Sequence, residues 1–572
     1  MSDATTTRPG DLAPAADLDD PTLREDARDW RAVAAWIGAI GVGVLALAVS
    51  LWRLMPGIGF WDTAEFQTVL PVMGTAHPTG YPTYVLVGWL ASVLLQPLGE
   101  PALRMNVLSA ILVATGAAFT VDLARRLSGS VTLGVAAGIG IALTPILWAV
   151  GTHADPHALH FALLAIILWL LVRWEPSWRG SAMDPTVQPV PDRRSRDRWL
   201  IAAAVVVGLS VGNHSLTLLL GPPIVLFVLA VEPDILRRPR FVLANVLAFA
   251  IPTVLVRFEM VLRAGWFRAP FVYTDSSTWT GFWYVTLGAQ FHGWLTDPFA
   301  DLPGRLNDLM AMAGAQLGVL APVVVIAFVV TAVRQPRYAL LSGTTLVITC
   351  FFNSVYPDGA IDRYYIGPAL LCWTWLAILG ATVIQTIVGP DQRQDLTGVV
   401  PPTSAAPSRG VTKALGFAIA AVILLVPTVA ALPVRSQAVD RSNDRFAQRW
   451  TDDVLSILEP NAVVVSWWSY STPLWYATIV DGKRPDITII DDRTRLDCNL
   501  GELDHVINLY LPTRPVYLVR NGDWELPSLE GRYRLIRIDA PTANNLIRVL
   551  PVEGGEGQPG SAPAPAPCAA IL

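Results

Sequence analysis

Long apolar runs separated by short polar segments constrain this chain more than any other feature of its sequence. The first run begins near Val33, and others recur as far as about residue 432. Only 15% of the residues are charged and 53% are hydrophobic, whereas soluble domains carry about 25% charged residues. An apolar run of about 20 residues is long enough to cross a bilayer as a helix. The sequence therefore predicts a polytopic α-helical membrane protein embedded in a lipid bilayer.

The run at 81–98 can be placed in two ways, and the positions of the arginines decide between them. If 81–98 crosses the membrane, the arginine-rich segments that follow face outward; if it lies along the outer surface, they all face inward. These segments are 125–126, 193–198, 237–240 and 334–337. Basic loops are enriched on the cytoplasmic side, and the run is marginally short for a crossing. We therefore expect 81–98 to lie along the outer surface.

This choice predicts about eleven transmembrane helices. We expect them at about 33–52, 102–123, 131–150, 157–173, 199–212, 215–231, 240–262, 314–333, 339–355, 364–388 and 413–432. The segments 199–212 and 215–231 are both short. They could form one bent segment that enters and leaves the membrane on the same side. An active site in the outer loops then lies on the outer face of the plasma membrane, together with the C-terminal part of the chain.

Four regions follow from these patterns. They are a disordered cytoplasmic tail at 1–30, a transmembrane domain at 31–432 with an outer loop at 53–101, an extracytoplasmic α/β domain at 433–552, and a disordered tail at 553–572. Within the third region, apolar stretches at 462–466, 485–491 and 515–519 predict strands, and 471–480 predicts a helix. The region contains no glycine-rich phosphate loop, so we expect no nucleotide or nucleic-acid partner.

The outer loop 53–101 concentrates ionisable residues beside the bilayer. Asp62 and Glu65 are three residues apart, so they share one face if the segment is helical. His77 follows, and the Pro-Thr-Gly-Tyr-Pro sequence at 78–82 should end any helix there. Carboxylates at a membrane edge are costly to bury and are often functional. We interpret the pair as a functional site rather than as loop residues that only contact solvent.

Other polar residues also gather on the predicted outer side. They are Arg104, His153, Asp155, His157, His160, Asn213, His214, Asp358, Asp362 and Arg363. Such a group could bind a metal ion, or it could line a polar pocket for a sugar and a phosphate. The chain has no paired-cysteine or His-Glu-x-x-His pattern, so a fixed metal is not expected, although a divalent cation could bind. For the set as a whole, a shared outward cavity is the better interpretation.

Several of these residues form motifs with a family resemblance. Residues 62–65 read D-T-A-E and 74–82 read G-T-A-H-P-T-G-Y-P, which resembles D-S-G-E followed by L-G-x-A-H-P-P-G-Y-P of the transmembrane protein O-mannosyltransferase-like family of GT-C glycosyltransferases. The segments 104–108, 208–214 and 362–365 are similar to its R-x-N-L-L, G-L-S-x-x-N-H and D-R-F-Y. This chain departs from the family at 63–64, at Thr79, at Asp155 and at His160.

The resemblance implies a GT-C fold, a catalytic first outer loop and a sugar donor linked to a polyprenyl phosphate. Asp62 would be the general base and Glu65 would position it or the acceptor, with inversion at the anomeric carbon. The matched positions imply a substrate-binding set that consists of His77, Tyr81, Arg104, Asp155, His157, His160, Asn213, His214, Asp362 and Arg363. Of these, His77, Arg104, His214 and Arg363 would hold the phosphate or the sugar.

The sequence thus predicts an integral membrane glycosyltransferase that moves a sugar, such as mannose, from a polyprenyl phosphate. Its acceptor would be a protein Ser/Thr or a cell-envelope glycan. One alternative is a transporter or flippase of a lipid-linked glycan, which should place functional charges near the membrane midplane and show internal repeats. Another is a non-catalytic envelope assembly protein in which the α/β domain binds partners.

Overall fold

The computed structural model describes residues 21–175, 193–356, 360–389, 409–497, 500–522 and 526–552. A helical bundle leads into a smaller domain with a five-stranded sheet. The predicted tail 553–572 lies outside the described residues, as do residues 1–20 of the predicted N-terminal tail. Residues 21–30, which the sequence predicts as part of that tail, belong to the first helix.

The bundle contains seventeen α-helices among the described residues, joined by short 3-10 turns. Their bounds are α1 Pro21–Trp52, α2 Trp61–Val72, α3 Pro82–Leu94, α4 Pro101–Ser128, α5 Val131–Ala142, α6 Pro145–Val150, α7 Pro156–Trp174, α8 Arg193–Asn213, α9 Gly221–Val231, α10 Pro239–Ala264, α11 Trp279–Leu287, α12 Leu302–Leu317, α13 Ala321–Arg334, α14 Pro336–Val355, α15 Ile366–Val388, α16 Arg409–Ala430 and α17 Leu432–Ala438.

Eight stretches of helix in the described part of the chain are long and apolar enough to cross a membrane. They coincide with eight of the predicted spans. The other three predicted spans fall on helices that are shorter or partly polar: 131–150 is divided into α5 and α6 at Thr144-Pro145, 199–212 is the apolar part of α8, and 215–231 is a 3-10 turn followed by α9. The predicted polytopic helical architecture is confirmed.

The segment 53–101 leaves the bundle and returns to it at the same end. The side-chain amide of Asn106, near the start of α4, donates to the carbonyl of Met55, just after α1, at 2.9 Å. Between them, α3 has 13 residues, which at 1.5 Å per residue is about 20 Å and too short for a bilayer core of about 30 Å. Its exposed face carries Leu90, Val93 and Leu94. These features agree with a segment that lies along a membrane surface.

Ion pairs between arginines and acids mark the opposite end of the bundle. Arg196, at the start of α8, binds Glu232 at 3.0 Å after α9, and Arg337, at the start of α14, binds Glu175 at 2.6 Å after α7. Arg238 also binds Glu232, at 3.0 Å. The predicted inner arginines therefore lie at the end remote from the segment 53–101.

The C-terminal domain is an α/β unit whose sheet has the order β2-β1-β3-β5-β4. Its elements are α18 Phe446–Ile457, β1 Val463–Ser466, α19 Trp468–Trp475, β2 Thr488–Asp491, α20 Asp492–Asp497, α21 Leu503–Tyr510, β3 Val516–Val519, α22 Leu526–Leu529, β4 Tyr533–Arg537 and β5 Leu546–Pro551. Strand β1 pairs in parallel with β2 and β3, while β5 is antiparallel to β3 and β4. The three predicted strands are present, and β4 and β5 extend the sheet beyond them.

This domain packs directly on the segment 53–101. One cluster of buried apolar side chains contains Phe66 and Leu70 of α2 together with Trp450, Trp468 and Trp475 of the domain. A hydrogen bond from the backbone N–H of Ala102 to the hydroxyl of Tyr476 adds a second link at 3.1 Å. Because both partners share one hydrophobic core, the domain is fixed over the loop instead of hanging from a linker.

Candidate active site

Helix α2 presents the predicted acid pair. Asp62 lies in its first turn, where the positive end of the helix dipole favours a carboxylate. Glu65 is one turn further along the same face, as the spacing predicted, and is fully buried. The helix ends at Met73, which adopts the left-handed conformation with φ 49°. Backbone N–H groups at this cap donate to carbonyls of the last helical turn. This stop directs the following chain, with His77, back beneath Glu65.

The Asp62 carboxylate is held between two hydrogen-bond donors from distant parts of the chain. Its Oδ2 accepts from Nη2 of Arg363 at 3.3 Å, and its Oδ1 accepts from the indole N–H of Trp468 at 3.0 Å. Burial opposes the charge on Asp62, but the charges of His77 and Arg363 and the bond from Trp468 outweigh it and lower the pKa of Asp62. The group is therefore an ionised carboxylate at neutral pH, and 28% of its side chain is exposed.

Glu65 and His77 form a buried pair behind Asp62. Oε1 of Glu65 accepts from the backbone N–H of His77 at 2.7 Å, while Oε2 contacts Nδ1 of the same ring. Burial disfavours a charged ring, but the Glu65 carboxylate and then Asp62 raise the pKa of His77. The other ring nitrogen, Nε2, lies 3.3 Å from the hydroxyl of Tyr81. The pair fixes the ring, with its Nε2 edge toward the space in front of Asp62.

Arg363 links two carboxylates. Its Nη1 donates to Asp155 at 3.1 Å in addition to the bond from Nη2 to Asp62. Asp155 is almost fully buried, and its Oδ1 accepts from both the backbone N–H and Nδ1 of His157 at 2.8 Å. Burial works against its charge, yet Arg363 and His157 hold the pKa of Asp155 well below its usual range. The sequence predicted Arg363 as a phosphate clamp; the structure shows its donors directed at two acids.

Three of the predicted histidines form a second cluster. The ring centres of His157 and His214 are 5.0 Å apart, and that of His160 is 6.3 Å from His214. Nδ1 of His214 accepts from the N–H of Leu216 at 3.0 Å and caps the following turn. Within the described part of the chain, Nε2 of His157, Nε2 of His214 and Nδ1 of His160 have no hydrogen-bond partner. Buried imidazoles without partners can bind a polar ligand.

The remaining predicted residues have different positions. Tyr81 and Asp362 line the same cavity as Asp62. Asn213 is buried below it and donates to the carbonyl of Pro156 at 3.1 Å, so it joins two helices. Arg104 is not part of this group, since its Nη1 donates to the carbonyl of Ser92 at 2.6 Å and ties α3 to α4.

These groups surround a cavity of about 1150 Å³. Its lining comes from both the bundle and the C-terminal domain, and includes Asp62, His77, Tyr81, His157, His214, Trp294, Asp362, Arg363, Arg441, Asp444, Trp468 and Arg493. The volume exceeds that of common small-ligand pockets, which is about 300–1000 Å³. It can hold a sugar and a phosphate together with part of a lipid chain.

Trp468 and Arg493 were not among the residues predicted from the sequence. Each follows a parallel strand, since β1 ends at Ser466 and β2 ends at Asp491. Ligands of open α/β sheets bind beyond the carboxyl ends of parallel strands. The predicted strands at 462–466 and 485–491 could therefore have indicated both positions, but the sequence does not show that this edge of the sheet faces the outer loop.

A divalent cation was left open by the sequence. Donor atoms of Asp62, Glu65 and His77 lie within 4.8 Å of one another, and carboxylate and imidazole are suitable ligands. However, both oxygens of Glu65 already accept from His77, and both oxygens of Asp62 accept from Arg363 and Trp468. A metal ion at this position would have to displace these hydrogen bonds.

Comparison with known proteins gives a family match for the first part of the bundle. Residues 62–235 match the family model of the protein O-mannosyl-transferase TMEM260 N-terminal domain. The chain is also 27% identical to mouse (Mus musculus) protein O-mannosyl-transferase TMEM260 over 296 residues, which are 51% of this chain and 38% of the mouse protein. The chain thus spans well under half of the length of this relative. The resemblance predicted from the motifs is confirmed.

The fold is similar over nearly the whole chain to that of a solved structure. ArnT from Cupriavidus metallidurans bound to undecaprenyl phosphate superimposes with a TM-score of 0.53 at 14% identity, covering 91% of this chain and 99% of ArnT. The apo state of the same protein gives 0.51, covering 92% and 98%. The predicted GT-C fold with a small C-terminal α/β domain is confirmed.

Proposed function

We propose that this protein is a membrane glycosyltransferase that transfers a sugar, such as mannose, from a polyprenyl phosphate to a hydroxyl group of a protein Ser/Thr or a cell-envelope glycan. The observation that carries this proposal is the Asp62 carboxylate, held by Arg363 and Trp468 at a large cavity. The match to a protein O-mannosyl-transferase domain supports the reaction class. The fold shared with ArnT, whose structure holds undecaprenyl phosphate, supports a polyprenyl donor.

Asp62 is the proposed general base. It takes the proton of the acceptor hydroxyl as the acceptor oxygen attacks the anomeric carbon and the bond to the phosphate oxygen breaks. A single displacement of this kind inverts the anomeric centre. Glu65 acts through His77, whose ring it fixes beside Asp62. Three imidazole nitrogens, on His157, His160 and His214, have no partner among the described residues, lie close together beside or below the cavity and are candidates to bind sugar hydroxyls.

Trp468 is a proposed positioning residue for Asp62, and Trp468→Phe tests this. The indole N–H bond is one cause of the lowered pKa of Asp62, so its loss should raise that pKa. A base works only when ionised, and activity therefore falls as the pH drops through its pKa. We expect the acid limb of kcat/KM to move to higher pH, because a hydrogen bond that stabilises the charged carboxylate is lost.

The matched control for this variant is Trp475→Phe. Trp475 is also buried and packs against Trp468, with ring centres 5.7 Å apart. Its indole nitrogen has no hydrogen-bond partner in the described part of the chain, so its replacement changes packing without touching Asp62. Equal pH profiles for both variants would show that Trp468 does not position Asp62.

We further propose that the site and the C-terminal domain face the outside of the plasma membrane. The inner arginine clusters at the opposite end of the bundle support this orientation through the enrichment of basic loops in the cytoplasm. In a cysteine-free background, an impermeant thiol reagent applied to intact cells should label Lys483→Cys on the C-terminal domain. Arg237→Cys, at the opposite end, should be labelled only after permeabilisation. Labelling of Arg237→Cys in intact cells would show that the protein has the opposite orientation.

The experiment that tests the function uses membranes that contain the full-length protein. They are incubated with a panel of polyprenyl phosphates, each carrying a different radiolabelled sugar, and label is then sought in protein and glycan fractions. We expect one sugar to be transferred by these membranes and not by membranes that lack the protein. Transporter and assembly-protein functions both predict no transfer from any donor of the panel.

A further inference from the structure

We propose that Arg493, supplied by the C-terminal domain, is the residue that binds the phosphate group of the lipid donor. This inference rests on the proposed function, because it assigns a role within the same cavity. It adds a residue of the C-terminal domain to the substrate-binding set that the matched motifs of the bundle imply. Three features of Arg493 support it: the cation is not paired with an acid among the described residues, its backbone is fixed, and it lies close to Asp62.

In the part of the chain that the structure describes, three arginines line the cavity, and two of them are already paired with acids. Arg363 binds Asp62 and Asp155, and Arg441 binds Asp444 at 3.1 Å. Among the described residues, no carboxylate lies within ion-pair distance of the Arg493 guanidinium. The guanidinium instead lies near the aromatic rings of Trp294 and Trp468. An arginine that is not neutralised by an acid is the group that a phosphate would bind most strongly.

The backbone around Arg493 is rigid. The buried carboxylate of Asp491 accepts from the N–H of Arg493 at 3.0 Å and from that of Thr494 at 3.3 Å. The next acid, Asp492, turns away from the cavity and pairs with Arg495 at 2.9 Å and with the fully buried Arg520 at 3.0 Å. These bonds hold the start of α20 in place, so that the side chain of Arg493 alone projects into the cavity. A fixed backbone at Arg493 reduces the entropy that is lost when the residue binds a ligand.

Arg493 also lies at a suitable position relative to Asp62. Its guanidinium carbon is 5.6 Å from the ring centre of Trp468, the same indole whose N–H bonds Asp62. A second ring, Trp294, lies at 6.0 Å on the bundle side. Both distances are at the outer limit of cation–π contact, which is about 6 Å, so the N–H groups remain available. The base and the free cation are thus separated by one indole ring, which leaves space for a sugar between the acceptor and the departing phosphate.

The test measures binding of undecaprenyl phosphate to the purified full-length protein in detergent. Undecaprenol, which lacks the phosphate, and inorganic phosphate form the two comparison arms. For Arg493→Gln we expect the Kd for undecaprenyl phosphate to rise about ten- to a hundredfold, because a hydrogen-bonded charge pair is lost. Arg493→Lys should lie between this variant and wild type, since a lysine keeps the charge without the paired donors. Binding of undecaprenol should be equal in all three proteins.

The control variant is Arg532→Gln, because Arg532 lies on the surface of the same domain, where it pairs with Asp504 at 2.8 Å. Its affinity for undecaprenyl phosphate should match that of wild type. If Arg493→Gln binds undecaprenyl phosphate as tightly as wild type, the inference is wrong. Displacement of the lipid by inorganic phosphate at comparable concentration would also overturn it, since the site would then be one for free phosphate.

The same experiment separates this inference from the proposed function. A wild-type protein that binds undecaprenyl phosphate through Arg493 but transfers no sugar would contradict the function and leave the binding site standing. A wild-type protein that transfers sugar, with an unchanged donor KM in Arg493→Gln, would contradict the inference and leave the function standing. Should Arg493→Gln fold poorly, the comparison of Arg493→Lys with wild type decides the question in the same way.

Discussion

Replacing Asp62 with asparagine should reduce sugar transfer by about a hundredfold to ten-thousandfold, the range expected for loss of a general base. Asparagine has nearly the same shape and can still accept the indole N–H of Trp468. The amide of asparagine has no basic oxygen, so no group takes the proton of the acceptor hydroxyl. The Kd for undecaprenyl phosphate should change little, because Arg493 is proposed to hold the phosphate. The effect should therefore fall on kcat, measured with saturating donor.

A surface variant on the same chain provides the control for this prediction. Asp504→Asn removes an acid that pairs with Arg532 on the surface of the C-terminal domain, and it should leave kcat unchanged. Glu65→Gln should be intermediate, since Glu65 acts only through the His77 ring. An Asp62→Asn protein that is correctly inserted and keeps a kcat near that of wild type would exclude Asp62 as the base.

Replacing Arg363 with glutamine should both destabilise the protein and abolish most of its activity. Arg363 is bonded to Asp62 and to Asp155, of which only 1% of the side chain is exposed. Removing one partner of a buried ion pair costs about 3–5 kcal/mol. We expect the lower end, because His157 keeps two bonds to Asp155. The melting temperature should fall, and the pKa of Asp62 should rise because it loses a neighbouring positive charge.

A double variant distinguishes the two effects. Arg363→Gln combined with Asp155→Asn removes the unpaired buried charge, so the melting temperature should recover toward that of wild type. Transfer should stay low, because Asp62 still lacks its guanidinium partner. Full recovery of transfer in the double variant would show that Arg363 acts only through the stability of the fold.

Much of the site could be predicted from local patterns. The spacing of Asp62 and Glu65 placed them on one helical face, and the proline-rich turn after His77 indicated that the chain reverses there. The distribution of arginines favoured a surface segment at 81–98, and the hydrogen bond between Asn106 and Met55 shows that the chain indeed returns to the same end. Such inferences depend on helix geometry and charge, which act over short stretches of sequence.

Contacts between distant segments could not be predicted in this way. Trp468 reaches Asp62 across 406 positions of sequence, and neither residue carries a local pattern that indicates the other. Arg363 was assigned to phosphate from its chemistry alone, but pairing with Asp62 and Asp155 depends on how three helices and a loop pack. Arg104 lies in a motif of the family, yet in this structure it binds a backbone carbonyl. Tertiary packing decides which polar residues of a motif reach the cavity.

The most direct measurement of the central claim follows a radiolabelled sugar from its polyprenyl phosphate to an acceptor in purified wild-type and Asp62→Asn proteins. With the donor identified from the panel, the wild type should move the label from the lipid into a product in which the sugar is linked through a hydroxyl oxygen with inverted anomeric configuration. The Asp62→Asn protein should bind the donor and leave the label on the lipid. Equal transfer by both proteins, or no transfer from any donor by the wild type, would contradict the account.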